Sequence, residues 1–203
     1  KTKRPVKLRM DRDDDILITG KRHDFYADYE VGFSDRGIIE GVKIKLLSRC
    51  GISPDLSGAI NSRALLHIDN AYYLSHISVE NYLCKTNTSS STAFRGFGGN
   101  QGMMIIENIM DNVAKYLKKD PAEVRKINFY QKNNKNITHY GMKIQDNVIN
   151  EIFNGLIKSS NYKKRRLSIK KFNSKSKYLK KGLAITPVKF GISFTTQHLN
   201  QAG

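Results

Sequence analysis

The sequence predicts an α+β fold, and three observations predict it. Strand-like runs dominate residues 1–50, helical periodicity dominates 51–181, and strand character returns over 182–203. The strands and helices follow one another without regular alternation. At 203 residues the chain is long enough for one or two ordinary domains with a real core.

Each element has a local reason. Val6–Met10 and Ile16–Thr19 flank the acidic run Asp11-Arg12-Asp13-Asp14-Asp15, a pattern that resembles a hairpin. Phe25–Phe33 and Ile38–Leu47 flank Ser34-Asp35-Arg36-Gly37, where Gly37 suits a left-handed turn position. Asp55 and Ser57 are expected to cap a short helix running to about Leu66. Ile77–Lys85 reads as extended and leads into a polar loop, Thr86–Ser91. Met103–Leu117 carries apolar residues at Met103, Ile106, Ile109, Met110, Val113 and Tyr116, close to the helical period. Asp120-Pro121-Ala122-Glu123 has the form of a helix start, a capping Asp, then Pro in the first turn, then an acid near the positive end. That helix is expected to run to roughly Tyr130. Two further helices fit Val148–Ser159 and Ser160–Asn173, and the chain returns to strand at Gly182–Thr196.

Composition narrows the function classes. No apolar run approaches the ~18 residues that span a bilayer, so no membrane partner is expected. Cys50 and Cys84 are too few for a disulfide framework and read as free thiols of a reducing compartment. The sequons at Asn87 and Asn136 are read as coincidences. The start at Lys1 and the stop at Gly203 suggest a piece of a longer protein. The net charge of +17 is largely local, because residues 158–181 hold eleven Lys or Arg and no acid. A nucleic-acid reading would use Lys163, Lys164, Arg165 and Arg166 for phosphates and Tyr162, Phe172 or Tyr178 for stacking. A solvated helix face accounts for the same run and is preferred, so no nucleic-acid partner is expected.

The densest chemical signal is Thr92-Ala93-Phe94-Arg95-Gly96-Phe97-Gly98-Gly99-Asn100-Gln101-Gly102. A glycine-rich loop running into a helix can offer backbone N–H groups to an anion. Neither common nucleotide motif fits: Gln101 stands where the last glycine of the dinucleotide pattern should be, and no Gly-Lys-Ser/Thr follows. For an isolated glycine cluster, a tight loop-to-helix turn is the preferred reading over a site.

The cluster is not isolated. Arg95-Gly96-Phe97-Gly98-Gly99 closely resembles the molybdenum hydroxylase family, and the wider match points to its xanthine dehydrogenase branch. Agreeing stretches follow in the same order: Arg4-Pro5-Val6, Leu17 to His23, Ser62-Arg63-Ala64-Leu65, Cys84-Lys85-Thr86-Asn87, Pro121 to Arg125, Lys189 to Thr195 and Leu199 to Gly203. The resemblance implies that residues 1–203 are part of a molybdenum-cofactor and substrate-binding region. Arg95 resembles the position beside the molybdenum, and Gly96, Phe97, Gly98 and Gly99 seat the molybdenum–molybdopterin cofactor. Phe97 resembles the aromatic lying flat on a substrate ring, Phe194 a second ring meeting it edge-on, and Thr195 a substrate hydrogen-bonding position. Two such contacts orient a planar heterocycle without consuming its polar groups.

Arg63 is the most informative single residue. Read alone, it is a helix-surface charge or an ion pair. The resemblance implies instead that it faces a purine and stabilises negative charge there, which the related aldehyde oxidases typically lack. His67 and Asp69 suggest no metal site, and a histidine ending a helix reads as structural. Asn100 stands where relatives usually carry Pro, a change a loop should tolerate.

The implied activity is hydroxylation of hypoxanthine and xanthine to urate with oxygen from water. The general-base Glu and a second substrate-binding Glu lie outside these residues. FAD and 2Fe–2S clusters would sit in other parts of the full protein, a homodimer of the cytoplasm or peroxisome that passes electrons to NAD. Three rivals remain: an aldehyde oxidase of the same family, a basic nucleic-acid-binding module, and an inactive piece of a degenerate gene.

Overall fold

A computed structural model describes residues 2–191. The order of elements is α1 (Arg12–Ile18), β1 (Phe25–Phe33), β2 (Ile39–Gly51), α2 (Ser57–Leu66), β3 (Ile77–Lys85), α3 (Gly99–Tyr116), α4 (Pro121–Ile127), α5 (Ile149–Ser159) and α6 (Tyr162–Lys175). The α+β expectation holds.

The expected hairpin at 6–19 does not form. The acidic run is instead the first turn of α1, with Asp13, Asp14 and Asp15 at the helix's positive end. Asp15 N–H donates to the Asp11 carbonyl at 2.9 Å, and the Thr19 hydroxyl closes the other end on the Asp15 carbonyl at 2.8 Å. None of α1 is buried.

β1, β2 and β3 form one sheet in that order, β1 antiparallel and β2–β3 parallel. The β1–β2 connection turns at Gly37, whose φ of 89° is the left-handed geometry expected of it. The parallel β2–β3 pair requires a crossover, and α2 provides it. β2 alternates from Val42 on: Val42, Ile44 and Leu46 point into the core, as does Ile39 at the strand's start, while Lys43 and Lys45 face outward. Those lysines lie opposite Glu30 and Asp28 of β1, so the solvated face carries matched charges.

The inner face packs on α3 through Ile106, Ile109, Met110, Val113 and Ala114. Ile68, Tyr72, Val124 and Phe129 complete the core. α4 starts as its sequence dictates, with Asp120 accepting from Ala122 N–H at 2.8 Å and Pro121 in the first turn. It ends at Ile127, earlier than Tyr130.

Residues 182–191 form no regular element and pair with no strand among the described residues. The expected strand is therefore absent from the described part of that run. Side chains replace a neighbouring strand: Asn70 Oδ1 accepts from Lys189 N–H at 2.9 Å, and Asn70 Nδ2 donates to the Pro187 carbonyl at 3.0 Å. Pro187 itself has no N–H to offer a ladder. The segment thus lies along the end of α2 and the turn after it.

Candidate functional site

Arg63 occupies the second turn of α2 and is only 4% exposed, so it is no surface charge. Its Nη2 donates to the Gly191 carbonyl. The guanidinium centre lies 4.6 Å from the centroid of the Phe190 ring. Burial pulls its pKa below that of an ordinary arginine, though guanidinium remains charged at any physiological pH. One turn on, His67 lies against the other side of this contact, its ring 4.9 Å from that of Phe190. His67 Nε2 accepts from Gly191 N–H at 3.0 Å, so Nδ1 carries the proton and donates to the Arg63 carbonyl at 2.9 Å. Burial, then the nearby Arg63 and Lys189 cations, push the imidazole pKa down and favour this neutral tautomer.

The glycine loop meets the same place from α3. Phe97 takes φ 49° and Gly98 φ 97°, and Phe97 N–H closes a turn on the Phe94 carbonyl at 2.8 Å. A Cβ on Gly98 would collide with the Ile60 carbonyl, and one on Gly102 with that of Ala64. A Cβ on Gly99 would come within 2.6 Å of the Phe190 ring. The glycines therefore let the start of α3 press against α2 beside Arg63, with Phe190 touching the loop, Arg63 and His67 together. Asn100, expected in a loop, is in the first turn of α3.

A buried polar network fixes the neighbouring chain. Asp69 Oδ2 accepts from Tyr130 OH at 2.6 Å and Lys189 Nζ at 2.5 Å. Glu107 accepts from Tyr72 OH at 2.5 Å, Asn70 Nδ2 at 2.9 Å and Arg125 Nε at 2.7 Å. Arg125 also pairs with Asp111 at 2.8 Å.

The fit of an anionic cofactor to this end of the molecule rests on its donors. The amides of Arg95 and Gly96 meet no acceptor among the described residues. Arg22, stacked 4.4 Å from the Phe94 ring, has a buried Nη1 without a partner there. Gln101 donates to the His23 carbonyl at 3.2 Å and leaves Oε1 buried and unpartnered. The Arg22 Nη1 and the two loop amides are donors that suit an anionic, oxygen-rich group such as a pterin phosphate, whereas Gln101 Oε1 is an acceptor and suits an N–H of the same group. Among the described residues no His, Cys, Asp or Glu cluster forms a metal site.

The structure brings Arg63 together with the 95–99 loop, leaves the Arg95 side chain exposed and Phe97 half-buried, and packs Gly98 and Gly99 against protein. Phe194 and Thr195 lie outside the described residues. Asp55 and Ser57 do not cap α2; Asp55 accepts from the Thr92 hydroxyl, and Ser57 Oγ bonds His23 Nε2 at 2.7 Å. His67 and Phe190 went unassigned in sequence reasoning because their contacts span more than 120 residues; the only signal was Phe190 within the Lys189–Thr195 match. Two grooves of about 1060 and 910 Å³ lie elsewhere, one beside the sheet at His76 and His139, one among α4, α5 and α6. In the second, Tyr162 is buried and bonds Asp120 at 2.9 Å, and Arg166 pairs with Asp120 at 3.1 Å. Both were part of the nucleic-acid reading; here they anchor α6 to α4.

The fold is thus an α+β unit whose glycine turn seats the start of one helix against another helix that carries a buried arginine. Residues 1–129 match the molybdopterin cofactor-binding domain, and the chain belongs to that family. Xanthine dehydrogenase/oxidase from Gallus gallus is 46% identical over 203 residues, all of this chain and 15% of that protein. Xanthine dehydrogenase from Dictyostelium discoideum is 40% identical over 201 residues, 99% of this chain and 15% of that protein. The chain thus spans about 15% of the length of these relatives. The aldehyde oxidoreductase structure from Desulfovibrio desulfuricans shares the fold, with a TM-score of 0.67 at 24% identity over 75% of this chain and 16% of that one.

Proposed function

We propose that this chain forms part of a molybdenum hydroxylase of the xanthine dehydrogenase type, acting on a purine. The observation that carries the reading is a buried guanidinium, Arg63, held at the junction of the Arg95–Gly99 loop and the 182–191 segment. The molybdenum–molybdopterin group, when bound, supplies the oxygen-transfer and two-electron chemistry. Arg95, Gly96, Phe97, Gly98 and Gly99 would hold it, the amides of Arg95 and Gly96 being loop donors that the turn itself does not engage. Arg63 presents positive charge in a site shielded from water, where negative charge on a purine ring is stabilised most strongly. Phe97, with Phe194 and Thr195 beyond the described residues, would orient the planar ring. FAD, 2Fe–2S clusters, NAD as acceptor and a homodimeric assembly belong, in this reading, to the full-length protein. No described helix is long and apolar enough to cross a membrane.

The experiment is substrate comparison with the purified full-length protein. NAD-dependent urate formation from xanthine, exceeding turnover of an aromatic aldehyde, supports the reading. Aldehyde turnover without urate assigns the protein to aldehyde oxidation and removes the purine role from Arg63.

A further inference from the structure

Arg63 does not hold itself in place. Both polar groups of the Gly191 peptide are engaged from α2: the N–H by His67 and the carbonyl by Arg63. His67 also grips Arg63 from behind, through its main-chain carbonyl. Phe190 sits in the resulting ring of contacts, its face under the guanidinium and its ring tilted at 44° to the imidazole. The arrangement closes only if one imidazole nitrogen donates and the other accepts. No other neutral side chain of similar size offers both from a flat ring that also stacks.

We infer that His67, in its Nδ1–H form, is a positioning residue that sets the Arg63 guanidinium and the chain after Gly191 relative to each other, and thereby sets preference for purines. The inference rests on the purine reading of Arg63. His67 acts through Arg63 and touches neither substrate nor cofactor. A residue that orients a working group through hydrogen bonds is typically worth roughly 10-fold to 100-fold in activity. Protonation removes the acceptor at Nε2 and releases Gly191 N–H. The charged groups facing His67 are Arg63 and Lys189, which oppose its protonation, and Asp69, which favours it. Purine preference is therefore present with neutral His67 and lost only as pH falls through the lowered folded value, which lies below the ordinary imidazole value of about 6.5.

The test uses the full-length protein with its cofactors and four forms: wild type, His67→Phe, His67→Gln and Arg63→Met. Three quantities are read: xanthine and aldehyde turnover across pH, molybdenum content, and hydrogen exchange of the peptide containing Gly191. His67→Phe keeps a ring against Phe190 but loses both nitrogens. It is expected to lower kcat/KM for xanthine roughly 10-fold to 100-fold, change aldehyde turnover little, and remove protection at Gly191. Its xanthine-to-aldehyde ratio is expected to lose the acid-side decline of the wild type. His67→Gln, which keeps a donor and an acceptor, is expected to restore most of the ratio. Purine turnover and protection unchanged in His67→Phe, or purine and aldehyde turnover falling together with molybdenum content, overturns the inference. If Arg63→Met keeps full purine turnover, the purine reading itself fails and takes the inference with it. If Arg63→Met loses that turnover and His67→Phe does not, only the inference fails.

Discussion

Arg63 could be singled out from sequence only by resemblance, since nothing in Ser62-Arg63-Ala64-Leu65 distinguishes a buried arginine from a surface one. Its burial depends on Phe190 and Gly191, more than 120 residues away, and no periodicity reports such a pairing. Arg125 is a parallel case. It is 2% exposed, and although burial opposes its charge, the carboxylates of Glu107 and Asp111 hold its pKa above the ordinary value. Arg125→Met would strand Glu107, which stays largely buried, and is expected to cost about 3–5 kcal/mol. A denaturant midpoint shifted by that much checks it, whereas a shift within about 1 kcal/mol would class the pair with surface bridges. Asp69 supplies a pH signature. Burial alone would raise its pKa, but the His139 imidazole 3.8 Å away and the hydrogen bonds from Lys189 and Tyr130 prevail and hold it below the usual carboxylate value. Its stabilising contribution is therefore present above about pH 3.9 and lost as pH falls through the lower, folded value. Asp69→Asn is expected to flatten acid unfolding in that window, measured by fluorescence against pH; an unchanged slope would remove Asp69 as a source of acid lability.

At the scale of elements, alternation and turn chemistry were the readable signals. Phe25–Phe33, Ile77–Lys85 and the Asp120-Pro121 helix start stand where the sequence places them. The acidic run at Asp11–Asp15 misleads because four acids suit both a turn and a helix's positive end. Residues 182–191 have strand composition, yet Asn70 and His67 satisfy the backbone that a strand partner would otherwise satisfy. The glycines of the loop look like an anion cradle in sequence, while in the structure Gly98 and Gly102 let α3 approach α2. Gly98→Ala joins a left-handed backbone to a collision with the Ile60 carbonyl. It is expected to destabilise by roughly 2 kcal/mol or more. A lowered thermal midpoint together with lowered molybdenum content checks this; an unaltered midpoint contradicts the close approach.

At the scale of the molecule, the described residues share a core between the sheet and α3, with the candidate site at the edge of that core where α2, the loop and the 182–191 segment meet. The α+β class was legible from the order of elements, whereas the crossover that makes β3 parallel to β2 was not, because strand direction depends on where α2 packs. Apolar side chains left at the surface, among them Leu8 at 84% and Leu17 at 72%, mark faces suited to burial against further protein. The 203-residue chain expressed by itself is therefore expected to bind a hydrophobic dye strongly and unfold broadly, and a sharp transition without dye binding would contradict that. The central claim is that Arg63 serves a purine. The most direct measurement is the ratio of xanthine to aldehyde turnover in the full-length protein with Arg63→Met. The account requires xanthine kcat to fall roughly 10²–10³-fold, the range for losing one charge-stabilising donor, with aldehyde turnover retained. Equal loss of both, or loss of neither, would contradict it.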